Sequence, residues 1–286
     1  MVRALVGLFV LVPVIAFAKP RWQTLPLPPA MPHAKTTGMV TVEGGAKIYY
    51  ATYGKRGGDP VVLLHGGLGN ADHWAFQVPV LAKHYRVIVI DSRNQGRSTF
   101  AKATLSYHVM AGDVLAVLDK LSIPKAAIVG WSDGGEIGLD LAIHHPDRVE
   151  RLFVFGANYD ANGSKDRSAG SSTFAAYAVK CKRDFLKLSK NPKAYADVVS
   201  SLMPVWRSSQ SFTKDQLREI KAYTVVADGD HDEIIKLEQL EEMSKLIPSA
   251  KLVVLKNASH FALWQTPKPF TRAILDFLAA EQTAEN

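Results

Sequence analysis

One cysteine, Cys181, stands among 286 residues. A lone thiol excludes an intramolecular disulfide and leaves no cysteine cluster to hold a metal. Charge is sparse as well, with 21% of residues charged, and no Lys/Arg block collects the formal net charge of +7 on one face. Arg3 is the only charge in the first 18 residues, so a chain beginning at Lys19 keeps 7 − 1 = +6. A scattered surplus of this kind reads as a solvated surface, and no nucleic-acid partner is expected. Internal repeats are absent, which sets aside repeat architectures. What remains is ordinary for a globular chain: 47% hydrophobic residues, in a length that buries one large core with room for an insertion.

Residues 1–18 read as a secretory signal peptide. Arg3 forms a short charged start, the apolar run Ala4 to Phe17 is brief for a membrane span and broken by Pro13, and Ala16-Phe17-Ala18 supplies a small-residue cleavage site. No cysteine sits at the junction, so a lipoprotein anchor is not expected. The expectation is an exported protein, periplasmic or secreted, with no stable membrane span after cleavage. Residues 19–37 carry Pro20, Pro26, Pro28, Pro29 and Pro32 without periodicity and are expected to form an extended arm outside the core.

Residues 38–286 read as one α/β domain. Met39 to Val42 and Lys47 to Ala51 predict a hairpin through Glu43-Gly44-Gly45. Short apolar runs follow at Val61–Leu64, Val87–Ile90, Ala126–Val129, Leu152–Phe155, Val225-Val226 and Leu252–Leu255. Helical stretches separate most of them, notably Met110 to Leu121 and Leu237 to Leu246. Buried strands alternating with helices predict a mostly parallel, eight-stranded sheet wrapped by helices. The interval of about 157–222 lacks strand-like runs and holds amphipathic stretches around Phe174–Leu188, Ala194–Leu202 and Lys214–Ile220, the pattern of a small helical cap.

Chemistry concentrates at Gly130-Trp131-Ser132-Asp133-Gly134, between the strand Ala126–Val129 and a helical stretch. A serine on such a strand–turn–helix projects its hydroxyl above the sheet, at a helix N-terminus that favours developing negative charge. His65-Gly66-Gly67-Leu68-Gly69 follows another strand. The backbone N–H groups of Asp133 and Gly67, with Leu68 as the fallback, fit an oxyanion hole, and His65 is expected to anchor the loop. A triad also needs an acid and then a histidine. Asp228, Asp230 and Asp232 follow one strand, and His260 follows the next. Asp140, His144 and His145 share a helix, but without a further carboxylate or cysteine cluster no metal site is expected.

His65-Gly66-Gly67, Asp91-x-Arg93-x-x-Gly96-x-Ser98, Gly130-Trp131-Ser132-Asp133-Gly134-Gly135, Gly229-x-x-Asp232 and His260 occur in that order. From about Met39 to Leu278 the chain therefore resembles the α/β-hydrolases of the single-lid esterase and lipase-like branch. Asn94 stands where that family usually has glycine. The resemblance implies a catalytic triad of Ser132, Asp232 and His260, with Asp232 chosen because the family's acid lies three residues after the glycine. It also implies an acyl-enzyme mechanism on a small-molecule carboxylic ester, without cofactor. Gly-Trp-Ser-Asp-Gly-Gly is similar to valacyclovir-hydrolase-like enzymes, where the acid after the nucleophile holds a substrate ammonium; the alternative is that Asp133 serves only the helix start. Trp131, Asp133 and Trp206, with Phe174 and Tyr177, are the candidates for substrate binding. Aminopeptidase, lactone or macrolide esterase and perhydrolase activities fit the same triad. A hydroxynitrile-type lyase and a non-hydrolytic receptor are more distant readings. Oligomeric state is left open.

If residues 1–18 act as a signal, N-terminal sequencing of the exported protein should begin at or near Lys19. An intact Met1 on the mature protein would refute it.

Overall fold

The computed structural model describes residues 18–101, 104–166, 170–207 and 212–280. The signal-peptide reading, residues 1–18, lies outside them except for Ala18. Eight strands form one sheet: β1 (Thr36–Thr41), β2 (Lys47–Gly54), β3 (Pro60–Leu64), β4 (Arg86–Ile90), β5 (Ala126–Trp131), β6 (Val149–Phe155), β7 (Tyr223–Gly229) and β8 (Ala250–Leu255). Their order is β1-β2-β4-β3-β5-β6-β7-β8. β1 and β2 pair antiparallel, as do β2 and β4, and every later pairing is parallel. β3, β4 and β5 are apolar because helices cover both faces: Val62, Ile88 and Ile128 are wholly buried.

The described helices are α1 (Val78–Leu81), α2 (Tyr107–Lys120), α3 (Asp133–His144), α4 (Ser172–Leu188), α5 (Tyr195–Arg207), α6 (Lys214–Arg218), α7 (Leu237–Leu246), α8 (Ala262–Gln265) and α9 (Pro267–Ala279). Ser106 caps α2 by accepting the Val109 N–H at 3.1 Å. Three helices, α4 to α6, lie between β6 and β7. Along α4, Tyr177, Cys181 and Phe185 repeat at helical spacing and form its buried face. Burial pushes the Cys181 thiol up to about 12, as suits a packing residue. Among the described residues no helix is long and apolar enough to cross a membrane.

The proline-rich segment is extended, with a single 3-10 turn at Arg21–Gln23, and it is docked on the domain. Arg21 Nη1 donates to Gln265 O at 2.8 Å, while Gln265 Nε2 donates to Trp22 O at 3.1 Å and Thr24 O at 2.8 Å. Trp22 stacks on His231 with ring centroids 4.3 Å apart. Leu25, Met31 and Ala34 pack against the core. No residue of 18–37 is itself buried, so the arm lies along the surface of the core, and β1 begins within it at Thr36.

The loop after β4 is fixed by its own charges. Asp91 Oδ1 accepts the Ala71 N–H and Oδ2 the Arg97 N–H, each at 2.6 Å. Asn94 takes φ +67°, a left-handed conformation that asparagine tolerates better than most residues. Arg93 reaches α2, where Nε meets Asp113 Oδ2 at 2.8 Å and Nη2 meets Oδ1 at 2.5 Å. Both side chains are 4% exposed. Removing one partner of such a pair strands a buried charge. Asp113→Ala should therefore cost about 3–5 kcal/mol of stability, read from urea unfolding. A loss within error of zero would show that Arg93 escapes to solvent.

Candidate active site

The turn after β5 is built by close approach. A Cβ on Gly130 would lie 2.2 Å from Gly134 O, and one on Gly134 would lie 2.2 Å from Leu64 O. Glycine at both places lets α3 start directly above β3 and β5. Ser132, between them, is held at φ 55°, ψ −127°, a region that non-glycine residues rarely enter. Its N–H donates to Phe155 O at 2.8 Å and its carbonyl accepts from Gly135 N at 2.6 Å. The strain is thus balanced by backbone bonds on both sides.

The loop after β3 runs against this turn. His65 Nε2 accepts the Ser92 N–H at 3.0 Å, which assigns the proton to Nδ1, and Nδ1 donates to Gly66 O at 2.8 Å. Burial lowers the His65 pKa, against the pull of Asp91, so the ring is neutral and anchors the loop. Gly66 O also accepts from Gly69 N at 3.0 Å. With that carbonyl held, the trans peptide directs the Gly67 N–H the opposite way. Tyr177 of α4 donates to Gly67 O at 2.8 Å from the cap side, so the Leu68 N–H points away from the cap. Of the two loop N–H groups, that of Gly67 is the one left directed away from both held carbonyls.

His260 follows β8 and is 3% exposed. Trp131, 1% exposed, lies beneath it and donates its indole N–H to His260 O at 2.8 Å. The His260 N–H reaches Glu233 Oε2 at 3.2 Å, and Nδ1 meets Asp232 Oδ2 at 2.7 Å. Asp232 Oδ1 accepts the N–H groups of Ile234 at 2.6 Å and Ile235 at 2.8 Å. Burial raises the Asp232 carboxyl, but His260, Asp228 and the Ile235 N–H outweigh it and hold it below the ordinary range. Asp230 turns elsewhere, accepting the Ala258 N–H at 3.3 Å. His73, by contrast, is a wholly buried packing residue, edge-on to Trp264 at 4.9 Å, and burial lowers it to about 4.

Ser132, His260 and Gly67 line one cavity with Phe174, Tyr177 and Trp206 of the cap. Its volume is about 30 Å³. Asp133 also lines it, but its carboxylate is engaged. Trp206 Nε1 lies 3.0 Å from both oxygens, and the Tyr107 hydroxyl donates to Oδ1 at 3.3 Å. Burial, then Asp133 and Glu136, raise the Tyr107 hydroxyl well above its ordinary value, so it stays protonated as a donor. A Cβ on Gly67 would lie 2.5 Å from Trp206 Cζ2 and 2.6 Å from Asp133 Oδ2. The loop after β3 therefore has glycine at 67 because the Asp133–Trp206 pair lies across it.

Asp228 is the residue that sequence reasoning weighed only as a rival acid. It is wholly buried on β7, and Oδ1 accepts the Gly229 N–H at 2.8 Å. Among the described residues, Oδ2 meets no donor. Burial, then the Asp232 charge, push its carboxyl well above the ordinary range. Asp228 thus keeps its proton beside Asp232, and a hydrogen bond from it helps hold that carboxyl low. The signal in sequence is three acids in five residues, of which only one can be ionised beside the histidine.

Two substitutions separate these roles. Asp232→Asn should cut turnover about 10⁴-fold, because the ring loses its orienting carboxylate. Asp228→Asn keeps a donor toward Asp232 and should keep activity within about tenfold, whereas Asp228→Leu should lower it and move the acid limb of the pH profile upward. The native chain holds a proton that the unfolded chain releases near pH 4, so wild-type stability should fall as pH rises from about 4 toward the raised native value. Asn carries no such proton, so urea unfolding at about pH 5 and about pH 8 should show a smaller decline in Asp228→Asn. An Asp228→Asn enzyme as inactive as Asp232→Asn would overturn the neutral-donor role.

Comparison with known proteins agrees with this architecture. A 2-hydroxy-6-oxo-2,4-heptadienoate hydrolase of Pseudomonas putida is 28% identical over 271 residues, spanning 85% of this chain and 97% of that protein. The solved enol-lactonase from Burkholderia xenovorans LB400 is 25% identical, with a TM-score of 0.67 over 85% of this chain and all (100%) of that one. An esterase from Rhodococcus sp., 23% identical at a TM-score of 0.68 over 85% of this chain and 98% of its own, shares the fold. Residues 59–204, from β3 through the turn at Ser132 and into the cap, match the family model described as alpha/beta hydrolase fold. This chain belongs to the α/β-hydrolase family.

Proposed function

We propose that this hydrolase is an exported serine esterase that cleaves a carboxylic ester through an acyl-enzyme. The observation that carries the reading is the single cavity shared by Ser132, at its strained turn, and His260, backed by Asp232 at 2.7 Å. Ser132 Oγ attacks the ester carbonyl carbon while His260 Nε2 accepts the hydroxyl proton. The tetrahedral oxyanion sits against the N–H groups of Gly67 and Asp133. Collapse breaks the C–O bond to the alcohol, which takes the proton from His260, and the acyl group remains on Ser132. Water, deprotonated by His260, then releases the acid and regenerates the serine. Asp232 orients the ring and stabilises its cationic form. A lactone, as a cyclic ester, follows the same steps.

The lining bears on the substrate. Trp206 and the Tyr107 hydroxyl already donate to Asp133, so an aminoacyl ester would compete with both for the carboxylate, and we take the acyl group to be neutral. A carboxylate-bearing dienoate of the kind in the Pseudomonas relative's name would meet Asp133 with no Lys or Arg among the described lining residues. The cavity of about 30 Å³ is small, so short acyl chains should enter it with the least movement of its lining.

A fluorophosphonate should label the wild-type chain at Ser132 and leave Ser132→Ala unlabelled, with the fold of both followed by circular dichroism. Nitrophenyl esters should be hydrolysed fastest when the acyl group is short and neutral, with no advantage for a matched aminoacyl ester. Labelling without ester turnover would instead favour a lyase or a receptor on this fold.

A further inference from the structure

Away from the active site, α2 and α3 lie side by side and bring together three potential metal ligands. Asp140 and His144 stand four residues apart on α3 and share a face. His108, in the first turn of α2, joins them from across the helix pair. The Nδ1 atoms of His108 and His144 lie 3.0 and 3.4 Å from Asp140 Oδ1, and the three ligand atoms all fall within 4.8 Å of one another. Around a tetrahedral ion with bonds of about 2.0–2.1 Å, ligand atoms stand about 3.3–3.4 Å apart. The side chains are therefore spaced to within a few tenths of an ångström for two of the three edges.

Charge points the same way. Asp140 is 3% exposed, and among the described residues no Lys or Arg pairs with it, only these two imidazoles. A buried carboxylate without Lys or Arg is costly, and a dication bound beside it removes the imbalance. His108 and His144 are 61% and 39% exposed at their side chains, so a hydrated ion reaches them without any opening of the core. His108 also borders an open depression of about 670 Å³.

We propose that His108, Asp140 and His144 form a three-ligand site for a divalent transition-metal ion of the zinc class, with water in the fourth position. Two imidazoles and one carboxylate match the ligand preferences of Zn(II), Co(II) and Ni(II) rather than those of Mg(II) or Ca(II). Asp140 lies eight residues beyond Ser132 along α3, about 12 Å at 1.5 Å per residue, so the ion takes no part in acyl transfer. Its effect is to tie α2 to the helix whose N-terminus carries the nucleophile turn. Binding releases the imidazoles from their bonds to the Asp140 side chain and, for His144, from Asp140 O at 3.2 Å. His145, stacked on His108 with centroids 6.5 Å apart, is a neighbour outside the ligand set.

The test uses the untagged full chain, stripped with EDTA and titrated calorimetrically with Zn(II). One equivalent should bind and raise the melting temperature, and Co(II) in its place should give the visible absorption of a four-coordinate site. His108→Ala and His144→Ala, both at exposed positions, should each weaken Zn(II) binding at least tenfold and abolish the melting shift. His145→Ala should leave both unchanged. Binding no tighter than about 100 µM, binding untouched by His108→Ala, or binding lost in His145→Ala would each overturn the site.

Discussion

The close approach of β3, β5 and α3 at Gly130 and Gly134 is the constraint on which the rest of the site depends. Carbonyl oxygens occupy the places where their Cβ atoms would be, so the chain between them has one way to turn. Ser132 takes its unfavourable backbone angles because its flanking peptide groups are already committed, to Phe155 on one side and Gly135 on the other. Trp131 then carries the constraint outward. Its indole lies under the His260 ring, and its N–H fixes the carbonyl of His260, so the last residue of β5 positions His260 while the next residue is Ser132.

The acid side of the site follows a different logic. Asp232 is buried, yet it is surrounded by donors: two backbone N–H groups, the imidazole, and the neutral carboxyl of Asp228. A second ionised carboxylate there would repel the first in a buried region of low dielectric. Keeping Asp228 protonated turns that repulsion into a hydrogen bond, so the local polar groups serve the single charge on Asp232.

Much of this was legible in sequence, and the limit follows separation along the chain. β3, β4 and β5 appear as apolar runs because both of their faces are covered. β7 reads in sequence as Thr224 to Val226 at most, since Asp228 breaks the apolar run although it is buried; Thr224 escapes the cost of burial by bonding Ala222 O at 2.8 Å. The turn at Ser132 is local, and glycines announce it. Choosing Asp232 from three carboxylates needed the family resemblance, because which of them reaches His260 depends on how the loop folds back. Asp133 with Trp206, 73 residues apart, and His108 with Asp140, 32 apart, meet only through packing of helix on helix, which no periodicity records.

The contact of Trp206 and Asp133 across Gly67 has an evolutionary consequence. The cap and the oxyanion loop are separate segments, but they occupy the same few cubic ångströms. A lineage that keeps the tryptophan must keep glycine at 67. One that replaces both the tryptophan and the aspartate with smaller side chains frees position 67 to vary. Diversification of the cap in this protein is thereby tied to the loop beside Ser132, and related chains with a larger residue at 67 should carry smaller ones at 133 and 206.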